Sequence, residues 1–321
     1  MNSDTDRQPL SEIESRLKDY IDVFVCCSSY EDRCLSIPME INQGWLNQAI
    51  IFENSKILAV KENTNRLVEH FGTCSKQVSV DIGNPVTSIR AMYDVLETII
   101  GTKRNVRVVV DITTFTHEQL LILLGLLRNM GCNGVTCLYS GAESYMNDED
   151  NKWLSKGIVE IRSVIGFSGE LKVQSGIKLV IMIGFESERA QRLIEAYDPD
   201  FLSIGIGRRS DSIEDWHHSR NKRFFEKLTN QYPNAETFEF SCNDPFFTAK
   251  AVKKQCEDLS LSPVVAPMNT KISTVGAALA AFEDFRIQLC YAQAALYNQS
   301  SYSSPGKYFR TFSLNFLQDS G

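Results

Sequence analysis

The chain is 321 residues long, about two domains on a rough prior of 150 residues each. Its 43% hydrophobic and 23% charged residues, with 18 Gly and 9 Pro, exclude a collagen-like repeat, a small disulfide scaffold and extended disorder. A net charge of -7 argues against a surface that follows nucleic acid over its whole extent and leaves room for a local basic patch.

Leu10, Ile13, Leu17 and Tyr20 follow helical spacing, with Ser11 and Glu14 placed as a capping box. A β-rich run, Asp22 to Cys27, then leads into Ser28-Ser29-Tyr30-Glu31-Asp32-Arg33. Asn84-Pro85 opens a helix over 88–100, because Asn is a good N-cap and Pro suits the first turn. The apolar strand Val106–Val110 ends in Asp111-Ile112-Thr113-Thr114 and is followed by a helix over 117–129. A strand near Val135–Tyr139 comes next, then the most polar stretch of the chain, Met146 to Lys152, which reads as a surface loop near a domain boundary. Residues 157–167 look like an added strand.

The second half repeats this order. Lys178–Ile183 is a strand leading into Gly184-Phe185-Glu186-Ser187-Glu188-Arg189 and a helix over 188–196. Asp244-Pro245 opens a helix over 247–257, and the strand Ser262–Val265 leads to Asn269-Thr270-Lys271 and a helix over 273–284. Ile287–Tyr291 answers to Val135–Tyr139. Four landmarks recurring in one order, about 150 to 160 residues apart, point to two copies of one βαβ-rich unit. The expected fold class is α/β, as two pseudo-symmetric Rossmann-like units with mainly parallel sheets, because β-branched runs alternate with helices. The expected division is 1–150, including the N-terminal helix, and 151–321.

Nine cysteines, an odd number with no Cys-x-x-Cys pair, read as reduced thiols. The start lacks the apolar core of a signal peptide, and the longest greasy run, Leu120 to Leu127, is far short of the roughly 20 residues a membrane span requires. The expectation is a cytoplasmic protein with no membrane contact.

In open α/β sheets ligands bind beyond the carboxyl ends of the strands, where helix amino ends favour anions. Asn269-Thr270-Lys271-Ile272-Ser273-Thr274 brings a cation and hydroxyls to one helix start, and the small residues Val275-Gly276-Ala277-Ala278 behind it let backbone approach closely. It is a candidate phosphate cradle without the spacing of a Walker motif, or else a polar cap with a solvated lysine. Asp111 could take a ribose hydroxyl or bond local amides, with Thr113 and Thr114 as donors. Arg33 and Arg189 could fork onto a phosphate or carboxylate, with Ser28, Ser29, Asp32 and Glu188 as further ligand-binding candidates of the same loops, or could bridge the two halves through Asp32 and Glu188. Arg208, a candidate for neutralising phosphate, opens a stretch, 208–223, that holds five of the 33 basic residues and could draw a polyanion or nucleotide, or else is a solvated loop and helix start. Asp215, His217 and His218 fall there too, but adjacent histidines point apart, so no metal is expected. Glu31, Glu186 and His117 are the candidates for acid–base work if the chain is an enzyme. Cys26-Cys27 is a possible thiolate site or simply packed, and Tyr139, Tyr145, Tyr291 and Tyr297 could stack on a base or fill the core.

The Asp111-Ile112-Thr113 turn after a Rossmann-like strand resembles the Asp-x-Thr signature of CARF domains, the CRISPR-associated nucleotide-sensing folds, and the doubled layout is similar to SAVED domains. CARF proteins often follow that Thr with His-Gly, where Thr114-Phe115 stand here, and no nuclease domain follows in this sequence. The resemblance implies a signal-nucleotide pocket between the two halves. The residues point to binding of a nucleotide or phosphorylated ligand, without cofactor, and the resemblance implies a sensor in prokaryotic antiviral defence; a nucleotide hydrolase such as a phosphodiesterase or N-glycosidase, or a scaffold subunit gripping a protein partner, stays open, as does self-association.

Overall fold

The computed structural model describes residues 7–101, 103, 105–145, 155–170, 175–212, 215–299 and 303–316. The polar stretch expected as a boundary loop, 146–152, lies outside them. The chain forms two compact units: Met1–Lys152 with Asn298–Gly321, and Trp153–Tyr297.

In the first unit, β1 (Gln8–Pro9) and α1 (Ile13–Leu17) precede β2 (Ile21–Ser28), α2 (Arg33–Ser36), β3 (Leu46–Asn54), α3 (Lys61–Phe71), β4 (Ser75–Val80), α4 (Pro85–Ile99), β5 (Val108–Asp111), α5 (His117–Asn129) and β6 (Asn133–Tyr145). The second unit holds β7 (Ser155–Ser168), β8 (Gly176–Met182), α6 (Ser187–Tyr197), β9 (Phe201–Gly207), α7 (Asp215–Gln231), β10 (Glu236–Phe240), α8 (Pro245–Gln255), β11 (Leu261–Pro267), α9 (Lys271–Glu283) and β12 (Gln288–Tyr297). The chain then returns to the first unit as β13 (Ser303–Asn315).

Among the described residues the first sheet is seven-stranded, in the order β1-β13-β6-β5-β2-β3-β4, and the second is six-stranded, in the order β10-β9-β8-β11-β12-β7. From β2 to β6 and from β8 to β12 every pairing is parallel, and both sets run in the Rossmann order 3-2-1-4-5. Each sheet adds one antiparallel strand beside its fifth: β13 on β6 and β7 on β12. The expected fold class is therefore the observed one.

The expected boundary at 150 needs one correction. The tail does not belong with the second half; β13 pairs with β6 from Ser303–Tyr145 to Asn315–Asn133, so the second unit is inserted between the last two strands of the first. Its own ends meet in the same way, since Ser155 pairs with Tyr297 across β7 and β12.

Local chemistry explains the elements. Asn84 accepts from the Thr87 amide at 3.1 Å and Asp244 from the Phe246 and Phe247 amides at 2.9 and 3.0 Å, each with Pro at the first helical position. One turn later, Ser88 clamps both main-chain groups of Asp81 at 2.8 Å, and Thr248 does the same to Ser241, at 3.0 Å from its amide and 2.7 Å from its carbonyl. Thr116 and Gln119 form a capping box at α5, and Thr270 caps α9. The capping box expected at Ser11 and Glu14 does not form, because a 3-10 turn over Leu10–Glu12 places the helix start at Ile13; Ser15 bonds the Glu12 carbonyl instead.

The first core packs Phe24, Cys26 and Ile51 of the sheet against Leu67 and Phe71 of α3, with Ile13 and Leu17 of α1. In the second unit Leu179, Ile181, Ile204 and Val264 pack against Leu193 of α6 and Leu228 of α7. All nine cysteines are free thiols. Among the described residues no helix is long and apolar enough to cross a membrane, and no group of metal-ligating side chains gathers.

Candidate functional site

In a 3-2-1-4-5 sheet the strand order reverses between strands 1 and 4, and the loops leaving them diverge at that point. In the first unit these are the loops after β2 and β5, which carry Ser28–Arg33 and Asp111–Thr116. In the second they follow β8 and β11, and carry Gly184–Arg189 and Met268–Thr274. The sequence-derived site residues, Arg208 apart, flank these two reversal points.

In the first unit they form one connected polar cluster. Arg33, 5% exposed, donates to Glu31 Oε2 through Nε at 3.0 Å and Nη2 at 2.7 Å, and through Nη1 to the Ser140 carbonyl at 3.4 Å. Ser303, the first residue of β13, donates to the same Glu31 oxygen at 2.6 Å. Asp111, 1% exposed, accepts from the Thr113 amide at 3.0 Å and from its hydroxyl, and that hydroxyl in turn accepts from the Ser140 amide at 3.0 Å. Burial pushes the Asp111 carboxyl up to about 7, against the opposing pull of the Thr113 hydrogen bonds and the Arg33 charge. Thr114 reaches across to the Cys27 carbonyl at 2.5 Å.

Other candidates in this unit serve the fold. The Ser28 hydroxyl meets Thr64 Oγ1 at 2.6 Å, Ser29 accepts from the Glu31 amide at 3.2 Å, and Asp32 receives Asn63 Nδ2 at 3.3 Å. Arg33 therefore pairs with Glu31, where Asp32 was expected. His117 is half-buried at the first position of α5. Cys26 and Cys27 are buried, and burial first, then the Asp111 charge, pushes the Cys26 thiol well above its usual range, so the packing reading holds over a thiolate nucleophile.

In the second unit the arginine again faces a glutamate, Glu186 and not Glu188, but with a different bonding pattern. Arg189 Nε lies 2.9 Å from Glu186 Oε2 and its Nη2 donates to Ser155 at 2.8 Å; Ser155, the first residue of β7, donates to Glu186 Oε1. Glu188 is exposed. At the other loop Asn269 accepts from the Thr270 amide at 2.9 Å and donates to the Ile183 carbonyl, the counterpart of the Thr114 contact in the first unit. Thr270 Oγ1 donates to the Cys242 carbonyl at 3.0 Å.

The hydroxyls of Ser273 and Thr274 turn back to the Thr270 carbonyl at 2.8 and 3.1 Å and both residues are fully buried, so they do not face a ligand as expected. Gly276 likewise serves packing rather than a ligand's approach: a Cβ there would stand 2.6 Å from Thr248 Cβ and 2.7 Å from the Pro245 carbonyl, so its absence lets α9 lie against α8. Lys271 is half-buried at the first position of α9.

The basic stretch is partly internal. Arg208 pairs with the buried Asp211 at 3.1 Å, bonds Ser241 at 3.3 Å and lies 4.2 Å over the Phe247 ring. Arg220, 6% exposed, stands over the rings of Phe185 and Phe224 at 5.1 and 5.9 Å, which brings α7 to the loop after β8. The side chains of Asp215 and His217 lie outside the described residues. Tyr139 and Tyr291 are buried, which favours the core reading over base stacking; the side chain of Tyr145 lies outside the described residues, and Tyr297 meets the Tyr291 hydroxyl at 3.2 Å.

Sequence reasoning missed Ser140, Ser155, Ser303 and Asp211. Only Asp211 left a local signal, its i,i+3 spacing from Arg208. The serines reach the site through strand pairing, which no neighbouring residue announces.

No protein family matches the chain, and no curated protein matches it by sequence. Among solved structures, a type III CRISPR defence DNA nuclease activated by cyclic oligoadenylate is similar with a TM-score of 0.50 at 7% identity, over 81% of this chain and 64% of that one. Can2 from Sulfobacillus thermosulfidooxidans, solved with cyclic tetra-adenylate, matches with a TM-score of 0.29 at 18% identity, over 39% of this chain and 33% of that one. The chain thus spans less than two thirds of the length of either. The first likeness speaks to fold, and the second is too slight to add to it.

Proposed function

We propose that the chain is a sensor that binds a nucleotide or another phosphorylated ligand at the carboxyl ends of its parallel strands, in antiviral defence. The observation that carries this reading is the gathering of charged side chains at the reversal of strand order. In the first unit these are Arg33 and Asp111, a buried carboxyl held near neutrality; in the second they are Arg189, Arg220 and Lys271. Lys271 and Arg189 supply positive charge for phosphate. The fold likeness to the cyclic-oligoadenylate-activated nuclease supports the defence context. Glu31 and Glu186 each hold an arginine and a serine, which favours binding over the hydrolase alternative.

The test is a melting experiment with AMP, ADP, linear oligoadenylates and cyclic tetra-adenylate, with product analysis of the same tubes. A ligand at about 100 times its Kd stabilises by roughly 2.7 kcal/mol, a shift of several degrees. The reading expects such a shift without turnover, and its loss in Lys271→Ala. It fails if no nucleotide moves the transition or if product accumulates.

A further inference from the structure

A glutamate, an arginine and a serine meet in both units, bonded differently: Arg33 forks onto Glu31, whereas Arg189 donates to the serine and only its charge faces Glu186; in each unit the serine holds one structural place. Glu31, Arg33 and Ser303 meet in the first unit, and Glu186, Arg189 and Ser155 in the second. Ser303 and Ser155 each open the antiparallel strand at the edge of the five parallel ones. Both lie close to where the chain passes between units: Ser303 pairs with Tyr145, the last residue of β6, and Ser155 pairs with Tyr297, the last residue of the inserted unit. The glutamate and arginine belong to the loop after the first parallel strand, one side of the reversal point.

We propose that the two trios are latches through which occupation of the site is transmitted to β13 and β7. This rests on the reading of the chain as a sensor of anionic nucleotides. The physical basis is competition for the guanidinium. Arg33 offers its Nε and Nη2 edge to Glu31, the geometry that also suits a phosphate. A phosphate oxygen taking that edge leaves Glu31 without its counter-charge; the carboxylate then turns to water and withdraws the acceptor that Ser303 uses. At Arg189 a phosphate takes the Nη2 group from Ser155 and draws the charge away from Glu186, which frees Glu186 from Ser155. Binding at a loop thereby loosens the first residues of the strand that carries the chain across the junction, and supplies the output a sensor needs.

Hydrogen exchange on the whole chain, read by mass spectrometry, tests this. Without ligand, Ser303→Ala and Glu31→Gln should each speed exchange over 303–309 roughly tenfold, the loss of one charge-assisted hydrogen bond. Together they should do little more than either alone, with β3 and β4 unchanged. Ser155→Ala and Glu186→Gln should act alike over 155–158. Cyclic tetra-adenylate, or whichever tested nucleotide raises the wild-type melting temperature, should reproduce the acceleration in the wild type and add nothing to the variants. Unchanged or additive exchange in the ligand-free variants would overturn the latch whatever the ligand. A nucleotide that stabilises the chain without loosening 303–309 or 155–158 would overturn the coupling and leave the sensor reading standing. If no nucleotide shifts the melting curve, the sensor reading falls and the coupling with it, and the ligand-free variants still decide whether the latches hold the strands.

Discussion

Gly184, just past β8, lies against the main chain of Met268, so closely that a Cβ on it would stand 2.0 Å from the Met268 carbonyl oxygen. The two loops that flank the reversal of strand order therefore meet backbone to backbone, and the Asn269 side-chain amide donates to the Ile183 carbonyl beside them. A backbone contact cannot rotate away. Gly184→Ala should lower stability by about 2 to 4 kcal/mol in denaturant unfolding. Gly207→Ala, whose Cβ would meet only the Cys242 sulfur at 2.5 Å, should be milder because a side chain can shift.

The paired hydroxyl clamps give a second test. Ser88 and Thr248 each satisfy a main-chain amide and carbonyl while fully or almost fully buried. Ser88→Ala and Thr248→Val should each cost about 1 to 3 kcal/mol by stranding those groups, and Thr248→Ser should recover most of the loss. Urea midpoints at constant m-value measure this.

Asp111 makes stability depend on pH. Its folded pKa of about 7 lies above the ordinary 3.8, so between those values the folded chain holds a proton that the unfolded chain has released. Stability should fall as pH rises from about 4 to 7, by up to about 4 kcal/mol, and level off above. Asp111→Asn keeps the buried shape without the ionisation and should flatten that slope. Equal slopes for the two proteins would show that burial does not hold the proton.

Thiol labelling follows exposure and ionisation. Burial pushes Cys34, Cys242, Cys256 and Cys290 up to about 12, and Cys137 higher. Cys74 is half-buried beside α3. Brief iodoacetamide treatment of the native protein should modify Cys74 first; early labelling of Cys26 or Cys27 would contradict the packing described.

Much of the fold was legible because its signals are local. Asn84-Pro85 and Asp244-Pro245 mark helix starts through capping chemistry, and Val108–Val110 reads as a doubly covered strand from its unbroken apolar run. The fate of the last strand was not legible. Nothing in Ser303–Asn315 says that its partner is Asn133–Tyr145 rather than the nearer β12, because antiparallel pairing over such a separation is decided by register and packing. The site shows the same division. The loops were foreseen from strand ends and small polar residues, but hydroxyl-rich sequence was read as ligand-facing where Ser273 and Thr274 turn inward to their own helix. The choice of Glu31 over Asp32 for Arg33 depends on side-chain direction, which spacing alone does not supply.

The insertion of one unit between β6 and β13 governs how the gene can be divided. A truncation that stops after the first half deletes the strand that lies between β1 and β6 in the first sheet and bares the length of β6, a ready template for aggregation. Residues 153–297 form a continuous stretch whose ends lie side by side, so that segment can be excised or replaced by a short linker joining Tyr145 to Ser303.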